Sequence, residues 1–425
     1  MIRTLYTLLA YLAAPLVVLR LYWRSLSLPA YRRRIKERFG FPGTQSAPRG
    51  CIWVHAVSVG EINAAAPLIR RFLQREKGSV LVTNFTPTGA ERTRQLFGDS
   101  VCQRMAPYDL PGSIRRFLSH TRPRALVVME TEIWPNLYHV VDAMNIPIAL
   151  VNARMSGRSF RNYRRVRGLL AQSLGKLALL AAQSRADVEK FRQMGAPECV
   201  LKHAGNLKYD LDMPASAARD GRRLRHGWGK ARPVFIAAST HDPEERTLIN
   251  ACAKLWLDYP RLLLILAPRH PQRCVQVMRL CKNAGLNPVS KFNAASIPAS
   301  CRCLVVDVIG KLAQLFHASD LAFVGGSLIP HGGQNVLEAS AAGVPVLTGP
   351  YCANFADISR ALAQSGALEF VRDSSEIARR AGFWLSDTKA RKRAGAAGMS
   401  TVAANRGATD RVWLELRAML ARHPF

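Results

Sequence analysis

The chain of 425 residues is short of acid: 29 Asp and Glu stand against 60 Lys and Arg, a formal net charge of +31. So strong an imbalance points to a polyanionic partner, and nucleic acid, an anionic membrane surface or a phosphorylated substrate would each satisfy it. Metal-site patterns are lacking too. The nine cysteines are scattered without a CxxC, and the ten histidines include no HExxH. That argues against a zinc centre and a disulfide framework, and for a reduced compartment. No internal repeat, low-complexity segment or aromatic-basic cluster of a nucleic-acid module is evident. The N-terminal apolar stretch is itself short: residues 4–19 (TLYTLLAYLAAPLVVL) lie uncharged between Arg3 and Arg20, fewer than the ~20 usually needed to cross a bilayer.

Leu21, Tyr22 and Trp23 extend that stretch, and Arg20 can snorkel. A basic block follows, Arg24, Arg32, Arg33, Arg34, Lys36 and Arg38, opposed only by Glu37, which by the positive-inside rule keeps the rest of the chain cytoplasmic. No small-x-small cleavage site follows, which argues against a removed signal peptide. Residues 1–24 therefore read as a membrane anchor, spanning or lying in the interface; a core helix with a basic face is the alternative.

At this length two domains are expected. Expected strands at 51–55, 79–83, 101–105, 124–129, 147–151, 177–182 and 199–203 alternate with helical patterns such as 61–75, 111–120 and 159–173, the rhythm of a parallel sheet covered on both faces. Residues 211–232 are polar and basic and read as a linker. A second series follows at 233–239, 262–268, 303–308, 321–326, 344–349 and 367–371. The fold class is thus α/β, with two Rossmann-like parallel-sheet domains, 25–210 and 233–405, facing a cleft. The last helical segment, 406–425, is expected to pack back on the first domain.

Ligands of open parallel sheets bind past the carboxyl ends of the strands, so the polar residues there are the candidates. Glu61 ends the stretch IWVHAVSVGE, in which Ser58 and Gly60 allow a sharp turn. A carboxylate at a helix start is favoured by the dipole and normally stays ionised, so Glu61 reads either as a base or as an ordinary first-turn residue. Thr86 and Thr88 follow the second run, Glu130 the fourth, and Arg154 and Arg158 the fifth; Glu61, Glu130 and the two arginines should share one mouth. Lys208 lies at the hinge. Asp210-Leu211-Asp212 matches a DxD metal pattern only formally. In the second domain Ser239 and Arg269-His270 end strands, the former before a helix that would offer a phosphate-sized pocket. Gly325, Gly326 and Ser327, then Gly333, permit close approach to a ligand. A helix starting near Asn335 would aim free N–H groups at an anion, with Glu338 one turn inside to hold ribose hydroxyls. Tight turns and a surface carboxylate are the plain alternative.

The motifs HAVSVGE (55–61), TPTGAER (86–92), PYDLP (107–111), METEIWPNL (129–137), GNLKYD (205–210), PRHP (268–271) and AFVGGSL (322–328), in this order, resemble the Kdo transferases, membrane-associated GT-B glycosyltransferases of lipid A assembly; Kdo is 3-deoxy-manno-octulosonic acid. The resemblance covers nearly the whole chain. It implies an inverting transfer from CMP-Kdo to a phosphorylated, acylated glucosamine disaccharide, without metal or cofactor, at the cytoplasmic face of a bacterial inner membrane, with no nucleic-acid partner. By position it makes Glu61 the general base and Glu130 a second acidic catalytic residue. It places the CMP on Arg269, Asn335 and Glu338. The chain departs from the commoner pattern at Gln334, where histidine is frequent, and at Lys311, where glutamate is frequent. A GT-B enzyme using a nucleotide-diphosphate sugar, a nucleic-acid binder and a membrane scaffold are the competing readings.

Overall fold

The computed structural model describes residues 2–27, 29–43, 49–75, 79–211, 213–290, 297–298, 300–308 and 310–423. The chain forms two compact units, Met1–Asp210 with Arg406–Phe425, and Leu211–Asn405.

The first unit is built on seven parallel strands: β1 Ile52–His55, β2 Val80–Asn84, β3 Cys102–Met105, β4 Ala125–Met129, β5 Ile148–Ala153, β6 Leu179–Ala182 and β7 Leu201–His203. Their order is β3-β2-β1-β4-β5-β6-β7. Residues of β1, β2 and β4 are buried without alternation of polarity, as a sheet covered on both faces requires. Successive side chains still point to opposite faces. Ile52, Val54, Val80 and Val127 join one core and Trp53, Leu81, Leu126 and Val128 the other. The helix Ala408–Arg422 closes the first of these, inserting Val412, Trp413, Leu416 and Met419, with the Trp413 ring 5.1 Å from Phe72. Asp210 accepts the Gly407 amide at 2.7 Å and the Thr409 amide at 2.5 Å. Its carboxylate thus holds the start of that helix; Asp212 lies outside the described residues.

The second unit repeats the scheme with β8 Val234–Thr240, β9 Leu263–Pro268, β10 Cys303–Val305, β11 Leu321–Val324, β12 Val346–Thr348 and β13 Leu368–Phe370. The order is β10-β9-β8-β11-β12-β13, parallel throughout. Residues 211–232, read from sequence as a linker, instead carry the helix Ala217–Trp228 and belong to this unit. A Cβ on Gly221 would lie 2.5 Å from that of His317, so the helix packs tightly on Leu312–His317. Arg232, 1% exposed, donates to the carbonyls of Arg261, Pro298 and Cys301. Composition suggested a linker because the apolar face of this helix is only a few residues wide.

In both sheets the chain order reverses beside the first strand, between β1 and β4 and between β8 and β11. These are the switch points at which ligands of such sheets bind. Three non-glycine residues take left-handed backbone at carboxyl strand ends: Glu130 (φ 55°) after β4, Asn152 (φ 53°) in β5 and Ser239 (φ 55°) in β8. The register shifts at the latter two. Such conformations cost roughly 1 kcal/mol or more each and gather where side chains must be aimed.

Candidate active site

In the first unit Glu61 sits in the first turn of the helix Val59–Arg75, 8% exposed. Its Oε2 accepts the Val57 amide at 2.8 Å and its Oε1 the Ser58 hydroxyl at 2.9 Å. Ser58-x-x-Glu61 is a capping-box pattern, legible in the sequence. The expectation that the helix start keeps Glu61 ionised is overturned. Burial, with the charges of Glu132 and Glu130 added, raises its carboxyl to about 8 despite the Val57 and Ser58 hydrogen bonds. Gly60 needs no glycine conformation: a Cβ there would meet only Ser58 Oγ, at 3.8 Å. Its contribution is an open, exposed approach to the helix start, not a turn.

Glu130 is the counterpart. Its Oε2 meets Arg154 Nε at 2.9 Å and its Oε1 meets Lys208 Nζ at 2.8 Å. Burial alone would raise this carboxyl, but Lys208 and Arg154 outweigh it and hold Glu130 below the ordinary range. Lys208 reaches it from the turn Leu207–Tyr209, which is fixed by the Leu207 amide donating to Asn152 Oδ1 at 3.0 Å. The strained Asn152 therefore positions Lys208. Two carboxyls at one switch point are driven apart, one toward holding its proton and one toward losing it.

The other residues expected at this mouth are less closely engaged. Thr86 caps the helix Pro87–Phe97: its Oγ1 accepts the Gly89 amide at 3.1 Å and contacts Val57 O at 3.2 Å. Its hydroxyl is therefore committed to the protein, while that of exposed Thr88 lies 3.4 Å away. Arg158 is exposed on the helix Gly157–Arg164 and is not drawn to Glu130 by any ion pair among the described residues. Two residues escaped notice. Glu132, whose Oε2 accepts Trp134 Nε1 at 2.7 Å, is the neighbour that most raises Glu61; the acidic pair flanking Thr131 was its signal. His55, buried with its Nδ1 2.8 Å from Thr83 Oγ1, is lowered to about 4 by burial and so stays neutral.

In the second unit the glycine turn after β11 differs from its sequence reading. Glu244, 1% exposed at the start of the helix Glu244–Asp258, accepts the amides of His241 (2.9 Å), Gly326 (2.7 Å), Ser327 (2.9 Å) and Leu328 (2.9 Å). The amides of the turn at which sequence expects close approach by a ligand are thus filled by the protein's own carboxylate. Ser327 Oγ donates to Val324 O and accepts the Gly349 amide, both internally. Gly325 lets this happen: a Cβ would lie 2.7 Å from both Glu244 Oε2 and Thr240 Cα. Gly325, Gly326 and Ser327 therefore shape the site and present no free amide or hydroxyl of their own at this turn.

The exposed groups lie around that turn. Arg269 and His270 follow β9 with exposed side chains, the Arg269 amide donating to Thr240 O at 3.0 Å. Ser239 is half-buried on the β8 bulge. His241 stacks edge-on with His331 (4.8 Å) and His270 (5.7 Å), and burial, with His331 next, lowers it to about 4. Gln334 Nε2 lies 3.4 Å from His241 Nε2; a neutral ring accepts from that amide, so Gln334 suits an uncharged His241. His331 was missed, since nothing in sequence brings it to His241. The helix expected from Asn335 begins at Leu337 and ends at Ala341. Asn335 Oδ1 accepts the Leu337 amide at 3.0 Å, and its Nδ2 donates to Glu338 Oε1 at 3.2 Å. Gly333 (φ 75°), with Cys352 Cα 3.0 Å from where a Cβ would stand, brings the chain back to this pair. Lys311 lies within electrostatic reach of Asp220.

Two Rossmann-like sheets, each with polar groups gathered at its switch point, define the GT-B architecture of nucleotide-sugar enzymes. A putative UDP-N-acetylglucosamine 2-epimerase from Listeria monocytogenes shares the fold, with a TM-score of 0.57 over 88% of this chain and 98% of that one, at 12% identity. Sequence narrows the class. Residues 33–211 match the family described as 3-deoxy-D-manno-octulosonic-acid transferase (kdotransferase), and residues 302–401 that of glycosyl transferases group 1. The 3-deoxy-D-manno-octulosonic acid transferase of Haemophilus influenzae is 38% identical over 425 residues, 99% of each chain. That of Bordetella pertussis is 36% identical over 96% of this chain and 97% of its own. The chain belongs to the 3-deoxy-D-manno-octulosonic acid transferase family and is a glycosyltransferase.

Proposed function

We propose that the chain transfers Kdo from CMP-Kdo to a sugar hydroxyl of a phosphorylated, acylated glucosamine disaccharide in lipopolysaccharide biosynthesis, with inversion at the anomeric carbon. The observation that carries the proposal is the divided pair of carboxyls at the first switch point, in a chain whose whole length matches Kdo transferases. The acceptor oxygen bonds to the anomeric carbon as the bond from that carbon to the CMP phosphate oxygen breaks. The hydroxyl proton passes to Glu61, and CMP leaves with the electron pair. A base raised toward neutrality accepts that proton more readily than an ordinary carboxylate. Ser58, able to donate or accept, follows the proton on Glu61. Glu130 holds Lys208 and Arg154 in place as cations toward the phosphates and carboxylate of the substrates.

On the second unit Arg269 pairs with the CMP phosphate, its planar fork matching two oxygens, and Asn335 with Glu338 holds the ribose. Asn335→Ala or Glu338→Ala is expected to weaken CMP binding about tenfold, the value of one or two hydrogen bonds to a partly buried ligand, in a calorimetric titration. Unchanged affinity would place the nucleotide elsewhere. The activity itself is tested by incubation with CMP-Kdo and the acylated disaccharide, followed by mass analysis. One or more added Kdo units are expected, and no product with a UDP-sugar; the reverse would favour a diphosphate-sugar enzyme.

A further inference from the structure

The helix α1, Ile2–Ser27, is long and apolar enough to cross a membrane. Its surface is two-sided. Positions 3, 6, 7, 10, 14, 17, 18, 21 and 25 are half-buried or buried against the first unit, a stripe at helical spacing that runs nearly end to end. Leu5, Leu8, Leu12, Leu16, Leu19 and Trp23 form the opposite side, with Leu16 68% and Trp23 73% exposed.

The docked stripe is fastened by polar groups, which a helix bathed in hydrocarbon does not need. Tyr6 Oη donates to Asp109 Oδ2 at 2.8 Å, Thr7 Oγ1 lies 2.7 Å from Asn136 Oδ1 and 2.9 Å from Arg3 O, which share its one proton, and beside the stripe the exposed Tyr11 Oη accepts the Gly112 amide at 3.1 Å. Toward the other end Leu21 packs with Tyr108 and Leu110, and Ser25 is buried. The receiving groups are themselves ordered. Asp109 also accepts the amides of Asn136 and Leu137 at 3.2 and 2.7 Å, and Asn136 Nδ2 donates to Asp109 O at 2.9 Å. These residues belong to PYDLP and WPNL, motifs to which the chemistry gives no task.

We infer that α1 does not cross the bilayer but lies in its surface, clamped to the first unit through Asp109, Asn136 and Gly112 with its leucine face in an anionic lipid leaflet. A spanning α1 would carry its docked stripe, and with it Asp109 and Asn136, into hydrocarbon, or would break its ties to Asp109, Asn136 and Gly112, whereas an in-plane helix keeps them. Leucines of this contiguity in water mark an interaction surface. Arg20 and Arg24 are exposed on the helix itself, and Arg32, Arg33 and Lys36 just beyond it, placing cations at headgroup level.

The clamp also sets where the membrane lies. Asp109 follows β3, and Asn136 follows the loop after β4 that carries Glu130 and Glu132, so α1 is fixed at the same sheet edge as Glu61. Trp134, two residues before Asn136, has its ring 5.2 Å from His55 and its Nε1 on Glu132. On the proposed function, this seats the leaflet beside the acceptor mouth, and an acylated acceptor keeps its chains in lipid while its sugar reaches the base.

The orientation is tested on the full chain bearing an N-terminal peptide tag, in inverted vesicles whose catalytic units face outward. External protease is expected to remove the tag; protection until detergent is added would overturn the in-plane helix. This readout requires no activity, so it stands whether or not Kdo transfer is found. Tyr6→Phe, Thr7→Val and Tyr11→Phe combined then loosen the clamp without touching the sheet. In vesicles of phosphatidylethanolamine and phosphatidylglycerol, transfer to the acylated acceptor is expected to fall about tenfold, as for loss of three hydrogen bonds each contributing a factor of roughly two. Transfer to the deacylated, water-soluble disaccharide is expected to stay within about twofold. An equal fall on both acceptors, or no fall on either, would overturn the seating role.

Discussion

Glu61→Gln lowers the rate of Kdo transfer by about 10² to 10⁴, the range of a lost general base, while CMP affinity stays within about twofold because the nucleotide is assigned to the other unit. The substitution keeps size and the Val57 and Ser58 hydrogen-bond geometry, so the loss reports the missing base. The same residue sets the pH dependence. With the Glu61 carboxyl raised to about 8 by burial and by Glu132 and Glu130, little of it is ionised at neutral pH. The free-enzyme kcat/KM therefore rises about tenfold per pH unit below 8 and levels above it. Stability runs the opposite way. The folded state holds the Glu61 proton more tightly than the unfolded chain, so its contribution is complete below about pH 4.5 and is lost as pH climbs through about 8. Thermal melts of Glu61→Gln should lose less stability than wild type between pH 5 and 9. A rate flat across that range, or parallel melts, would contradict the assignment.

Glu244→Ala destabilises the second unit by about 3 kcal/mol or more, since four backbone amides lose a buried acceptor and each such loss costs roughly 1 to 3 kcal/mol before water relieves it. Glu244→Gln is expected to fall in between, as one amide NH₂ must face the backbone N–H groups that a carboxylate oxygen accepted. CMP binding is lost with either variant in proportion to unfolding, not as removal of a ligand contact. Denaturation followed by tryptophan fluorescence, set beside CMP titration of the folded fraction, distinguishes the two. A fully stable Glu244→Ala that has lost CMP affinity would return Gly326 and Ser327 to the role of direct phosphate ligands.

The contrast between these two glutamates shows what a sequence reveals. The two sheets were legible because buried parallel strands are short, uninterrupted apolar runs such as 125–129 and 262–268, and strand ends show where polar residues break them. Glu61 was visible for the same reason. Its titration was not, because it depends on burial and on two carboxylates from the end of another strand. Glu244 stands in the sequence where a first-turn acid is ordinary, but three of its four amide partners lie more than eighty residues away, at Gly326 to Leu328, and a glycine turn before a helix reads alike whether its amides are empty or filled. The helix Ala217–Trp228 was hidden by composition, its close approach to Leu312–His317 being made at a glycine, Gly221. The docked face of α1 was hidden by its apolarity: Tyr6 and Thr7 among leucines and alanines look like tolerated residues of a span until Asp109 and Asn136 are seen beneath them.

The central claim, that Glu61 is the base of Kdo transfer in this chain, is tested most directly by single-turnover mass analysis with saturating CMP-Kdo and the acylated disaccharide, comparing wild type with Glu61→Gln. The wild type should convert acceptor to a product heavier by Kdo, at a rate rising with pH toward about 8. The variant should bind CMP normally yet form product at least about a hundredfold more slowly. A Glu61→Gln enzyme that transfers Kdo at the wild-type rate would contradict it.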